Sequence, residues 1–402
     1  MKNYNSKLKV CLVIFLSSLF ISCDSDDDDN IIDVVAPATY EFLRDGVSTV
    51  SYSGQTTRLN QVDAIYNALN SKADDGSGAQ KFYTEAEIDA MFADGAGFMD
   101  ASLNGTGKKV RSKTSAGCSA GNSATQAQFD DQIADFTANV VSAWTADASS
   151  GIAGKLTDAT RSIHVNKYGH EIDQTFVKGL IGGMCVDQIV NNYLQPCQLD
   201  SGTRTDDNTN GILSGDKNYT DMEHKWDEAF GYLYGQVADA KSTDLSTGLS
   251  STGTTLFKYF TKIEASNQPG IAKIVFDAFK MGRAAIVAGN YEVRDAQANI
   301  IKIQLSRIIG FKSVDYLEGY ISKMAAGNTA DAFHALSEGY GFIMSLQFTN
   351  DGNDNPYFTK AEVDEMLAKM DDFWTVKDSD LTSMVSQITV SYTHLTLPTT
   401  SP

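Results

Sequence analysis

Asp295-Ala296-Gln297-Ala298-Asn299-Ile300-Ile301-Lys302-Ile303-Gln304-Leu305-Ser306-Arg307-Ile308-Ile309 is the stretch whose reading decides the fold. Ile300, Ile301, Ile303 and Leu305, with Ile286 upstream, form core stripes at helical period. The same spacing recurs along most of the chain. It predicts helices over 60–69, 84–92, 127–145, 173–194, 220–234, 254–264 and 271–288. Further helices are predicted over 295–309, 314–324, 331–348, 359–370 and 381–388. The expected class is therefore all-α: a helical bundle, single or as two pseudo-repeated bundles.

Two departures flank that pattern. Tyr40-Glu41-Phe42 and Val47 to Tyr52 alternate around Asp45-Gly46, which predicts a small N-terminal β-hairpin or an extended arm. Residues 104–122, rich in Gly, Ser, Thr and Lys, read as a loop, as do 200–218. One motif occurs twice. Phe82-Tyr83-Thr84-Glu85-Ala86-Glu87-Ile88-Asp89 matches Tyr357-Phe358-Thr359-Lys360-Ala361-Glu362-Val363-Asp364. In each, Thr-x-x-Glu is a capping box that starts a helix. The pair marks either a duplication or two similar helix starts.

The amino terminus carries an address. Basic residues, an apolar run from Val10 to Ile21, and Ser22-Cys23 follow the plan of a signal peptide. Leu19-Phe20-Ile21-Ser22-Cys23 resembles a bacterial lipobox, which implies cleavage after residue 22 and acylation of Cys23. Two acyl chains anchor stably where one does not. The acid block Asp24 to Asp29 stays solvated and extended. It resembles the export signal of surface lipoproteins in the Bacteroidetes. The expected layout is a leader over 1–22, a tether over 23–36 and a domain over 37–389. Val390 to Pro402 resembles translated sequencing-library adaptor, so 390–402 is read as a non-native tail. The expected location is the outer membrane at the cell surface.

The 402-residue chain has a net charge of −19, and 42% of it is hydrophobic. Loss of Lys2, Lys7 and Lys9 with the leader takes the charge to about −22. That balance excludes nucleic acid as a partner and favours cations. The hydrophobic content excludes general disorder. Of five cysteines, Cys118, Cys185 and Cys197 remain in the domain. Export permits a disulfide, and Cys185–Cys197 is the expected pair, with buried free thiols as the alternative.

Four groups carry candidate chemistry. Gly169-His170-Glu171-Ile172-Asp173-Gln174 opens like the zinc-protease H-E-x-x-H, but Gln174 stands at the second histidine. Glu223-His224-Lys225-Trp226-Asp227-Glu228 sets His224 and Glu228, and Glu223 and Asp227, one turn apart. His334 and Glu338 repeat that spacing. Imidazole with carboxylate suits iron or another divalent metal, so Glu171, Glu223, His224, Asp227, Glu228, His334 and Glu338 are the candidate metal ligands. Asp351, Asn353, Asn355 and Glu362 echo a calcium loop, although Pro356 holds the place where that loop wants glycine. Gly117-Cys118-Ser119-Ala120-Gly121 matches G-x-S-x-G without the strand-turn-helix that exposes a nucleophile.

The first three groups, with Lys178-Gly179-Leu180 and Ala229-Phe230-Gly231-Tyr232, together resemble the Bacteroidetes lipoprotein family of domain of unknown function 4856. The resemblance runs from Tyr40 to about Ile388. That family is in turn similar to imelysin-like proteins, which are helical, are associated with iron uptake and were once labelled peptidases. Their G-x-H-x-x-E signature is not met, because His170 directly follows Gly169 and Asp173 stands where the glutamate belongs. That departure weakens any metal site carried over by resemblance, so the leading expectation rests on the three acid-histidine groups on predicted helices of an exported, acidic chain: a surface lipoprotein that binds a metal or metal-bearing ligand for uptake, with outer-membrane uptake components as partners. A metallohydrolase and a structural component of an outer-membrane assembly are the alternatives.

Overall fold

A computed structural model describes residues 34–70, 80–118, 121–242 and 252–393. The lipobox, Cys23, the acid block and residues 394–402 lie outside the described residues.

The arm predicted at the start is a short hairpin. Strands β1 (Leu43–Arg44) and β2 (Val47–Ser48) pair antiparallel. Asp45 and Gly46 turn between them with φ of 53° and 77°, the left-handed pair that such a two-residue turn requires. Among the described residues thirteen α-helices follow: α1 (Ser53–Leu69), α2 (Glu85–Asp89), α3 (Ser123–Asp135), α4 (Ile172–Leu180), α5 (Pro196–Leu199), α6 (Arg204–Thr209) and α7 (Asp221–Tyr234), then α8 (Leu256–Ala265), α9 (Ile271–Ala288), α10 (Tyr291–Ala325), α11 (Thr329–Ser345), α12 (Lys360–Ala368) and α13 (Asp378–Thr393).

The stretch 295–309 lies inside α10, which runs without a break through the predicted gap at 310–313. Gly310 does not interrupt it, because the ring of Tyr392 packs over that position. Along α10, Ile301, Leu305, Ile308 and Ile309 are fully buried. Its neighbours α9, α11 and α13 pack around it. The 173–194 helix is α4 extended by two π-helical segments, Ile181–Val186 and Ile189–Tyr193. Such segments widen the turn and re-aim the side chains that follow.

Both copies of the repeated motif are capping boxes. Thr84 and Thr359 accept from the N–H groups of Glu87 and Glu362, whose carboxylates return the bond. Thr220 and Glu223 make a third at the start of α7. Residues from Val34 onward form one compact unit, so the repeat does not divide the chain into two bundles.

One element was not expected. Strands β3 (Gly154–Thr157) and β4 (Ser162–Val165) form a second antiparallel hairpin. Ile163 and Val165 point into the core, and Ser162 and His164 alternate to the other face. The expected boundary at residue 389 is not a structural one, since α13 continues to Thr393 and Tyr392 is buried against Tyr357 at 4.3 Å. No helix among the described residues is long and apolar enough to cross a membrane.

The expected Cys185–Cys197 disulfide is corrected. The bond joins Cys118 to Cys197, with Cα atoms 6.5 Å apart, and Cys185 is a buried free thiol. The 104–122 loop folds over the π-helical segments. Ser115 N–H donates to the Gly183 carbonyl at 2.6 Å, and Ala116 and Gly117 donate to the Asp187 carboxylate at 3.0 and 2.8 Å. That seat carries Cys118 to the start of α5. Cys185 faces inward, and burial pushes its thiol up to about 12.

Candidate functional site

Three elements build the central polar site: the start of α4, one face of α11 and the hairpin strand β4. Glu171 is the N-cap residue of α4, and its own N–H donates to the Ser337 hydroxyl at 2.9 Å. His334 and Glu338 stand one turn apart on α11. The helices meet closely because side chains are absent at the crossing. A Cβ on Gly341 would lie 2.4 Å from the Lys178 Cβ, and one on Gly182 would lie 2.2 Å from that of Ser345. Real contacts do not reach such distances, so the glycines set the approach.

The approach brings Glu171 to His334, with Oε2 and Nδ1 2.6 Å apart. The other ring nitrogen, Nε2, lies 3.5 Å from Glu338. Lys178 Nζ sits behind, 3.4 Å from Glu338 and 2.6 Å from the Gln174 side-chain oxygen. The Tyr259 hydroxyl donates to Glu338 at 3.1 Å. Burial works against the Glu338 carboxylate, but Lys178, His334 and Lys262 outweigh it and hold the group down at about 2.

In front of this chain lies a cavity of about 190 Å³. Its wall includes Glu171, Asp173, His164 and His334, with Tyr66 and Arg161. Gln174 donates to the Tyr66 hydroxyl at 3.2 Å and to Asp173 at 3.0 Å. Burial, then the negative charge of Asp173, raises Tyr66 to about 12. His164 bonds the Trp144 carbonyl at 3.0 Å and stacks on its ring, and burial lowers its proton affinity. Arg161 pairs with Asp331 at 2.8 Å. Sequence reasoning missed His164 and Arg161 because it missed their hairpin. The alternation of Ser162-Ile163-His164-Val165 was the available signal.

The other candidate ligands lie elsewhere. Gln55, in the first turn of α1, reaches Glu228 at 3.0 Å, while Tyr66, in the last turn, reaches Gln174. At 1.5 Å per residue these contacts are roughly 16 Å apart. The His224 group and the His334 group are therefore two places, not one. Glu223 and Asp227 serve a structural purpose. Both pair with the fully buried Arg283, at 3.0 and 3.2 Å. They also hold the arm: Arg44 pairs with Glu223 at 3.2 Å, and Tyr40 donates to Asp227 at 2.7 Å. His224 Nε2 is 4.0 Å from Glu228, whose nearest partner is Lys225 at 2.6 Å.

The calcium-loop residues are likewise engaged. Asp351 accepts N–H bonds from Asn353 and Asn355, Glu362 caps α12, and the Lys302 ammonium stands 3.1 Å from Asp354. Among the described residues, no three His, Cys, Asp or Glu gather closely enough to hold a metal ion. A bare ion therefore does not fit the donors at the central site, which line a wall instead of closing on a point.

The profile of a domain-of-unknown-function family, DUF4856, matches residues 37–394. The chain belongs to the DUF4856 family. No curated protein and no solved structure matches it. The match covers the arm, the hairpin β3–β4 and every α-helix, so the central cavity of this DUF4856 chain lies wholly within the family domain.

Proposed function

We propose that the chain is a lipid-anchored surface protein that captures a small polar, metal-bearing ligand for uptake. The observation that supports this reading is the convergence of Glu171, Asp173, His164 and His334 on one small cavity. Imidazoles and carboxylates are the donors that suit divalent transition metals. Their spread around the wall favours a ligand that brings part of its own coordination shell. The lipobox ending at Cys23 supports the anchor, and a tethered acidic protein is placed to collect cationic solutes.

The test is calorimetric. The full chain is titrated anaerobically with Zn2+ and Fe2+, both free and as ethylenediamine complexes. The complexes should bind about tenfold tighter than the free ions, a difference of about 1.4 kcal/mol. Glu171→Gln should weaken that binding while the helical circular dichroism stays intact. Absence of saturable heat from every probe would reject the reading.

A further inference from the structure

The His224 group lies in a cluster of the opposite sign. Lys113, on the 104–122 loop, and Lys225, on α7, place their ammonium groups 5.2 and 5.5 Å from the centre of the Tyr193 ring. Arg58, on α1, bonds the Lys109 carbonyl at 3.3 Å. The end of the Lys108 side chain rests against Gly54, where a Cβ would lie 3.2 Å from its Nζ. The N-cap of α1 supplies no side-chain bond and its first turn holds no acid, so the positive end of that helix is not neutralised locally.

The acid within this group is Glu228. It is already shared among Lys225 at 2.6 Å, Gln55 at 3.0 Å and the Tyr193 hydroxyl at 3.2 Å. Among the described residues, neither Lys108 nor Lys113 has a carboxylate within ion-pair distance. Burial lowers the proton affinity of Lys113, and Arg58, Lys225 and Lys108 lower it further against Glu228. Like charges held together in a half-buried place repel unless a counter-charge joins them. In a chain of net charge −19, this is a local reversal of sign.

We propose that Arg58, Lys108, Lys113 and Lys225 form a binding site for a small multivalent oxyanion of the phosphate class. Lys113 and Lys225, both near the Tyr193 ring, supply charge-assisted donors, and Arg58 supplies the planar guanidinium that suits such oxygens. The site is separate from the central cavity and does not depend on the function proposed for that cavity.

The probe is inorganic phosphate, titrated into the full chain at low ionic strength, with chloride matched for ionic strength as the control. Saturable binding and a phosphate-dependent rise in melting temperature are expected. Lys113→Met should weaken phosphate binding roughly tenfold, the loss of one charge-assisted contact. Without phosphate, the same variant should melt higher than the parent, because a repulsion is relieved. A purely structural lysine would give the reverse: lower melting and unchanged phosphate affinity. Lys108→Met gives the same readings should Lys113→Met fail to fold. Absence of saturable phosphate binding, or a response that chloride reproduces, would overturn the proposal and leave the cluster as a solvated patch.

Discussion

Glu338 shows how one carboxylate is set by its neighbours. Buried on α11, it faces Lys178, His334 and the Tyr259 hydroxyl. Its carboxyl is held down at about 2, well below the ordinary glutamate value near 4.5. A depressed acid contributes stability that is present above the unfolded value and lost as pH falls toward the folded one. At about 1.4 kcal/mol per pH unit, the contribution is about 3 kcal/mol near neutrality. Glu338→Gln should therefore unfold in urea with its largest deficit above pH 4.5, and the deficit should close as the pH approaches 2. A deficit of constant size across that range would assign the loss to packing. His170 adds to acid sensitivity at higher pH. Burial lowers its imidazole to about 4, so stability falls as pH drops through the range between 6.5 and that value.

At the scale of elements, the arm and α7 are joined through Arg283 of α9. Its guanidinium donates to Glu223, Asp227 and the Thr49 hydroxyl, and lies 4.8 Å over the Phe42 ring. Burial pushes the Asp227 carboxyl up, while Arg283, Tyr40 and the Ser51 N–H pull it back. Removing the cation leaves two carboxylates buried without it, a loss of about 3–5 kcal/mol in comparable buried pairs. Arg283→Met should lower the unfolding free energy in urea by that amount and release the arm, so that trypsin cuts sooner after Arg44. Unchanged trypsin resistance would show that the arm is held without Arg283, by the Tyr40–Phe230 stack at 3.7 Å together with the Arg44–Glu223 and Tyr40–Asp227 contacts. The same residues mark what was legible beforehand. The i, i+4 spacing of Glu223 and Asp227 was visible, but their partner Arg283 lies 56 residues or more away in sequence. No local pattern distinguishes acids that wait for a metal from acids that wait for an arginine. The helices were legible because burial repeats every three to four residues along them. The hairpin β3–β4 was not, because two four-residue strands carry little periodicity and follow a loop-like run of small residues.

At the scale of the molecule, the disulfide joins parts that no helix joins. Cys118 and Cys197 are 79 residues apart in sequence, and the enclosed segment contains α3, the β3–β4 hairpin and all of α4. Closing so long a loop lowers the entropy of the unfolded chain and stabilises the fold by about 2–4 kcal/mol. Sequence proximity favoured Cys185–Cys197 wrongly, because the deciding contact is the seat of the 104–122 loop on Asp187. Burial raises that carboxyl to about 6, against the pull of the Gly117 and Ala116 N–H groups and of Asn191. Protonation of Asp187 removes the charge that those donors hold. A raised acid stabilises the fold as pH falls from the folded value toward the unfolded one, so the two features separate by pH. Reduction of the disulfide, or Cys118→Ser, should lower the melting temperature at every pH. Asp187→Asn should approach the parent's stability below about pH 4 and exceed it near neutrality, because its carbonyl oxygen can still accept both N–H bonds while the buried charge is gone; a loss near neutrality would show that the charge strengthens the seat by more than its burial costs. Melting curves of parent, Cys118→Ser, Asp187→Asn and the double variant across pH 4 to 8 resolve this. If Asp187→Asn destabilises only while the disulfide is absent, the covalent bond holds the loop and the carboxylate merely guides it there. If it destabilises equally with the disulfide present, the seat on Asp187 is itself part of what holds the loop on the helical core.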